Sequence, residues 1–252
     1  MDMHGKKIFV AGASSGIGRA TAIMIGNQGG KVILNGRSRE RLDETRSMMA
    51  GEGHFVMPYD LLQFDGIKQY IRSCIEVDGL KFDGLVFCAG MTRGCSVRMT
   101  NMDLLKQIMI ENVSTYAALL KVFSSKQVLN NGGAIVALSS AATIHCDKSL
   151  AMYASSKAGV EAFSRVASKE FVSRKIRVNT VCPEMTDTPL TRGFFGSVSQ
   201  ENMEMFYPLG PLAPDDVANI IVFLLSDLSS KITGQTIHLS AGNDGRPIDW
   251  VI

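Results

Sequence analysis

Short apolar runs alternate with longer amphipathic stretches along the whole chain. The runs Lys7–Ala11, Lys31–Asn35, Gly53–Pro58, Gly84–Cys88, Ala134–Ser139, Arg177–Val181 and Thr236–Leu239 read as strands. Between them, helical periodicity spans Gly16–Gln28, Arg39–Ala50, Phe64–Val77, Met102–Leu129, Leu150–Ser173 and Asp215–Leu225. Val160, Phe163, Val166, Ala167 and Phe171 give one of these helices an apolar face. Strands that alternate with helices predict a single doubly wound α/β domain: a parallel sheet of about seven strands, covered on both faces. Ligands in such a sheet bind beyond the carboxyl ends of the strands. Gly12, Arg37, Asp60, Cys88–Gly90, Ser139–Ser140 and Pro183 all follow predicted strands, so they gather along one edge. The less regular stretch Thr186–Pro214 reads as a flap or helical hairpin over that edge.

Two segments on this edge carry candidate chemistry. The first strand runs into A-G-A-S-S-G-I-G, which places Gly12, Ser14, Ser15, Gly16, Ile17 and Gly18 in the turn before the first helix. Glycines there permit a tight bend and close approach of backbone N–H groups to a pyrophosphate, at the positive end of the helix dipole. Far along the chain, G-G-A-I-V-A-L-S-S ends at Ser140, and Y-A-S-S-K follows. Tyr153 and Lys157 are four residues apart and share a helix face, where an ammonium can lower the phenol's pKa toward neutrality. A hydroxyl, a phenol and an amine are what a site needs to hold a carbonyl and pass it a proton.

Composition narrows the class. A chain of 252 residues, 46% apolar and 20% charged, with net charge +2, suits one soluble globular domain. Basic and acidic residues are interspersed, so no nucleic-acid stripe is expected. No apolar run is long enough for a membrane span, and the N-terminal segment lacks a secretory pattern; a cytoplasmic protein is the expectation. Five cysteines with no C-x-x-C pair disfavour disulfides and structural zinc, and the four histidines are scattered in sequence, so no metal is expected. Cys88 and Cys182 read as small core residues.

With these pieces placed, the chain resembles the short-chain dehydrogenase/reductase family over essentially all its length, and in particular compact members that include 3-oxoacyl-[acyl-carrier-protein] reductases. The resemblance rests on A-G-A-S-S-G-I-G, Asp60, Ala89–Gly90, Asn112, Ser140, Y-A-S-S-K, V-N-T-V-C-P, Thr188 and I-T-G-Q, in the family's order. It implies a Rossmann-type fold. Tyr153 would be the general acid for ketone reduction and the base for alcohol oxidation. Lys157 would bind the nicotinamide ribose and depress the phenol pKa. Ser140 would hydrogen-bond the substrate oxygen, and Asn112 would position a water that links Lys157 to solvent. Asp60 with Leu61 would contact adenine, and Pro183, Thr186 and Thr188 the nicotinamide region.

The second strand is followed by Gly36, Arg37 and Ser38, where NAD-binding chains commonly place an acid. A guanidinium beside Ser38 suits a 2′-phosphate, so NADP(H) is expected over NAD(H). The alternative is that Arg37 opens a solvated helix with Arg39 and Arg41. The chain also departs from the family. Cys88 replaces an Asn that usually supports the sheet, Glu184 replaces Gly after Pro183, and Thr186 replaces a branched aliphatic residue. S-A-G near the C-terminus replaces D-G-G, a neutral change. Glu184 could contact substrate or reshape the loop that carries Thr188.

The expected function is therefore NADP(H)-dependent interconversion of a ketone and a secondary alcohol on a small or acyl-carrier-linked substrate. Arg93, Arg98, Lys148 and Arg192 are candidates for acyl-carrier docking, or ordinary solvated charges. His145, Asp147 and Lys148 leave a polar substrate equally open. A non-catalytic NADP(H)-binding sensor is the reading from another class, and the intact Asn112, Ser140, Tyr153 and Lys157 argue against it. The resemblance further implies a homo-oligomer, dimeric or tetrameric, built on the two long helices.

Overall fold

The computed structural model describes residues 1–192 and 200–243. Among these, Lys7–Ala11 (β1), Lys31–Asn35 (β2), Phe55–Val56 (β3), Phe82–Phe87 (β4), Leu129–Leu138 (β5), Arg177–Pro183 (β6) and Thr236–Leu239 (β7) form one sheet. The strand order is β3-β2-β1-β4-β5-β6-β7 and every pairing is parallel. The helices are Gly16–Asn27 (α1), Arg39–Ser47 (α2), Ile67–Glu76 (α3), Met102–Met109 (α4), Thr115–Phe123 (α5), Ala142–His145 (α6), Ala151–Glu170 (α7), Gln200–Phe206 (α8) and Pro214–Leu225 (α9). No helix among the described residues is long and apolar enough to cross a membrane.

Side chains alternate across the strands, so each strand feeds two cores. From β1, Phe9 and Ala11 join Tyr70 of α3, Tyr116 and Phe123 of α5, and Val160 of α7. Ile8 and Val10 point the other way, to Ile25 of α1 and Ile221 and Val222 of α9. Every residue of β1 and β6 is buried, as a parallel sheet covered on both faces requires. Phe9 sits edge-on to Phe82, with ring centres 5.8 Å apart, and Phe82 lies 5.2 Å from Phe123.

Several boundaries differ from the sequence reading, each for a local reason. The helix expected over Met102–Leu129 stops at Phe123. There the Ser124 hydroxyl donates to the Lys121 carbonyl at 2.8 Å, and Arg174 donates to the Ser124 carbonyl at 2.7 Å. Leu129 instead starts β5, and a register shift between Phe82 and Gly84 absorbs the extra residues. That long helix is also interrupted by a π-turn, Ile110–Ser114. The third strand shrinks to Phe55–Val56, although Met57 and Tyr59 still donate to Leu34 and Gly36 at 3.0 Å each.

The buried face of α7 also differs from its apolar pattern. Val160 and Ala167 are buried, but Phe163 is 44% and Val166 55% exposed. The inward face is completed by Ser164 and Ser168, and the Ser164 hydroxyl meets that of Tyr116 at 2.7 Å. Satisfied serines are small enough to let α7 approach the sheet, and hydrophobicity counting ignores them. Part of the expected flap, residues 193–199, lies outside the described residues. In the described part, Thr186 bridges Leu212, α8 follows, and Tyr207 is buried.

A buried cation fixes the start of β1. Lys7 Nζ donates to Asp78 at 2.5 Å, to the Cys74 carbonyl at 2.8 Å and to the Leu80 carbonyl at 3.1 Å. Removing one partner of a buried pair strands the other, at a cost of about 3–5 kcal/mol. Asp78 keeps some solvent access, so Lys7→Met should lower the unfolding free energy in urea by about 3 kcal/mol. A loss below about 1 kcal/mol would show that water replaces the amine.

Candidate active site

The turn after β1 is held from several sides. Gly12 and Ala13 both donate to the Asn35 carbonyl at the end of β2, at 3.0 and 2.9 Å. The Thr45 hydroxyl donates to the Ala13 carbonyl at 2.9 Å, and Arg19, paired with Glu44, donates to the Ser14 carbonyl at 2.8 Å. Ser15 caps α1 in an extended conformation without a side-chain cap bond, so no side chain of its own competes for the first-turn amides. Gly12 adopts φ +84°, and a Cβ there would lie 2.9 Å from the Ala89 nitrogen. A Cβ on Gly18 would lie 2.2 Å from the Gly12 carbonyl oxygen. Only bare backbone fits at both places.

These contacts sit where the strand order reverses, between β1 and β4. A cavity of about 440 Å3 opens there, lined by Gly12, Ser14, Ser15, Gly16, Ile17, Gly18, Arg37, Asp60, Leu61, Ala89, Gly90 and Thr188 of the expected set. Asp60 accepts from the Leu62 amide at 3.1 Å, which shapes the turn after β3. Ser38 is not part of this lining. Its hydroxyl accepts from Arg41 N at 3.3 Å, capping α2, and donates to Glu40 at 2.7 Å. Arg41 does line the cavity, with Arg37. Its place four residues on was the available signal, hidden among neighbouring arginines. Cys88 lines the cavity too, so it is not wholly a core residue; burial pushes its thiol up to about 12.

Ser140 and Tyr153 line a second cavity of about 390 Å3, with Pro183 and Thr186. Ile17, Leu138, Thr188 and Leu190 line both cavities, so the two share a wall. The Glu184 departure therefore leaves Thr188 at the junction. The Ser140 hydroxyl lies beside the Tyr153 phenol, near enough to favour its ionised form, and accepts from the Ala142 amide at 3.3 Å. Lys157 lies beneath, with Nζ 5.8 Å from the Tyr153 ring centre and donating to the Leu138 carbonyl at 2.9 Å.

The electrostatics correct one expectation. Burial pushes the Tyr153 phenol above its ordinary value, and the neighbouring Ser140 hydroxyl only partly opposes it. Burial also pulls Lys157 down to about 8. The amine does not bring the phenol toward neutrality, because low polarity taxes both charges at once.

Asn112 is fully buried in the π-turn. Its amide donates to the Met91 carbonyl at 3.0 Å and to Ser156 Oγ at 2.9 Å, while its oxygen accepts from Met91 N at 2.8 Å. The side chain thus clamps the loop after β4. A Cβ on Gly90 would meet Asn112 Oδ1 at 2.7 Å and Lys157 Nζ at 3.6 Å, so these two groups flank the same glycine. Sequence reasoning also missed Glu184 as a meeting point. His145 and His238 both direct Nε2 at its Oε1, at 2.5 and 2.9 Å. His145, Asp147, Lys148 and Glu184 line the second cavity.

Comparison with known proteins agrees with this geometry. A family model described as enoyl-(acyl carrier protein) reductase matches residues 12–244. The 3-oxoacyl-[acyl-carrier-protein] reductase of Thermotoga maritima is 34% identical over 248 residues, covering 96% of this chain and 99% of that protein. Carbonyl reductase family member 4 of Danio rerio is 30% identical, covering 92% and 95%. Among solved structures, a short-chain type dehydrogenase/reductase from Mycobacterium ulcerans superposes with a TM-score of 0.89 at 25% identity, covering 96% of this chain and 90% of that one.

The glycine contacts yield a direct test. Gly18→Ala inserts a methyl group where 2.2 Å separates it from the Gly12 carbonyl, so α1 must pull away from the turn. Fluorescence titration should show dinucleotide affinity weakened at least about tenfold, with the far-UV circular dichroism unchanged. Unchanged affinity would mean that the turn does not hold the phosphates.

Proposed function

The chain belongs to the short-chain dehydrogenase/reductase family, and from that premise we propose which cofactor and which proton donor it uses. It is an oxidoreductase acting on CH–OH groups, and the reading supported best is NADP(H)-dependent interconversion of a ketone and a secondary alcohol. One observation carries it: Ser140 and Tyr153 together line a cavity that shares a wall with the glycine-turn cavity.

The glycine-turn cavity fits a dinucleotide, because the missing side chains at Gly12 and Gly18 let the turn fold tightly onto Ala89 and itself, beside the uncapped start of α1 whose free amides suit phosphate. When bound, reduced nicotinamide supplies the hydride. In the second cavity, Ser140 donates a hydrogen bond to the substrate oxygen and holds it beside Tyr153. A phenol raised by burial keeps its proton at neutral pH, so Tyr153 is poised to donate it as negative charge grows on that oxygen. In the reverse direction the Tyr153 oxygen takes the proton back. Lys157, anchored to the Leu138 carbonyl beneath the Tyr153 ring, would hold the nicotinamide ribose through its amine. Asn112 positions the Gly90–Met91 loop against Lys157, and a water at this turn would link the amine to solvent.

Arg37 and Arg41 together make the adenosine end basic, which supports a 2′-phosphate and hence NADP(H). Lys148 at the second cavity, with exposed Arg93 and Arg98, supports an acyl-carrier-linked substrate as the narrower reading. Arg192 is instead engaged with Asp187 at 3.8 Å. Exposed Phe163 and Val166 on α7 support packing against a second copy.

Two measurements test this assignment. Tyr153→Phe should cut the rate of ketone reduction by about 10²–10⁴-fold while NADPH affinity stays nearly unchanged. Activity above about a tenth of the parent would remove Tyr153 from the acid's role. Arg37→Asp should lower the ratio of NADPH to NADH efficiency roughly 10- to 100-fold, as loss of a charge-assisted phosphate contact implies. An unmoved ratio would sink the assignment of Arg37.

A further inference from the structure

We propose that His145, Glu184 and His238 form a site for a zinc-like divalent cation in the wall of the second cavity. Three separate elements bring the residues together. Glu184 follows β6, and its amide donates to the Leu239 carbonyl of β7 at 3.1 Å. The β6–β7 register sets Cys182 against His238 and Pro183 against Leu239, which places His238 beside Glu184. His145 closes α6 and reaches the same carboxylate from the opposite segment.

The donor set is specific. One ligand atom from each residue lies within 4.8 Å of the others, and both imidazoles present Nε2 to a single carboxylate oxygen. Two imidazoles and one carboxylate, with a fourth position open, is a common arrangement of protein-bound zinc. Imidazole nitrogen favours zinc and its neighbours over magnesium or calcium, and the absence of thiolate in the trio disfavours copper(I). The Glu184 side chain is only 3% and that of His145 7% exposed. A buried carboxylate needs compensating positive charge, and a cation supplies it without requiring a proton on either ring.

His145 and Glu184 line the cavity together with Ser140 and Tyr153, so a cation held by the trio would border that space. A substrate oxygen could be anchored there; this part rests on the reading of the cavity as the substrate site, whereas cation binding does not.

The experiment is calorimetric titration of the purified, chelator-stripped protein with Zn2+ alone, paired with visible d–d absorption after Co2+ addition. One equivalent should bind, and Co2+ should give intense tetrahedral-type bands. Loss of an outer-shell partner typically costs a metal site 10–100-fold in affinity, so Glu184→Gln and His238→Ala should each weaken Zn2+ by about 100-fold or more. Cys146→Ser removes the exposed thiol next to His145, and His4→Ala an exposed imidazole elsewhere. Both should leave titration and spectrum unchanged. Thermal midpoints establish that each variant is folded, and His238, with its side chain 29% exposed, serves if Glu184→Gln is not. Absence of stoichiometric Zn2+ binding, or affinity unchanged in folded His238→Ala, would overturn the site and leave a purely hydrogen-bonded trio.

Discussion

The near-contact of two backbone turns, one after β1 and one after β4, is the constraint on which the molecule depends. Gly12 must pass 2.9 Å from the Ala89 nitrogen as measured from a Cβ it does not have, and α1 must seat Gly18 on the Gly12 carbonyl. Both turns leave the sheet where its order reverses, so the crevice between them is where a ligand can meet polar backbone. The aromatic cluster of Phe9, Phe82 and Phe123, and the Lys7 amine under β1, hold the strands that aim those turns.

Around that crevice, burial is the dominant electrostatic force. It raises Tyr153, lowers Lys157 and keeps the Cys88 and Cys182 thiols protonated, pushing each up to about 12. A phenol with a raised pKa is a donor that waits for developing charge, and an amine near 8 can follow the proton balance of its surroundings. The π-turn that carries Asn112 belongs to the same design. Widening one helical turn lets a buried amide clamp Met91 and Ser156, which fixes Gly90 beside Lys157.

The departures from the family pattern turn out to be local and legible. Cys88 takes the place of a polar residue but stays at the cavity edge, with its amide bonded to Ala11 at 3.0 Å, so the β1–β4 pairing continues. Glu184 is the larger change, since it brings a buried carboxylate into the wall of the second cavity and gathers two histidines around it. Thr188 keeps its place between the two cavities regardless.

Periodicity and short motifs were enough to determine the alternating strands and helices and the glycine turn, and they singled out Ser140, Tyr153 and Lys157, which the fold brings close together. These depend on neighbours in sequence, through helix spacing, strand alternation and turn chemistry. What only the tertiary structure decided involves residues distant in the chain. The inward face of α7 is completed by Ser164, whose partner Tyr116 sits on another helix, and the helix before β5 ends where Arg174 arrives to donate to the Ser124 carbonyl. The direction of the Tyr153 shift depends on how deeply the site is buried, which no spacing encodes. Likewise the His145, Glu184 and His238 cluster exists because β6 pairs with β7 while α6 folds back over them. Local rules act over a few residues; desolvation and cross-chain contacts are set by the packed whole.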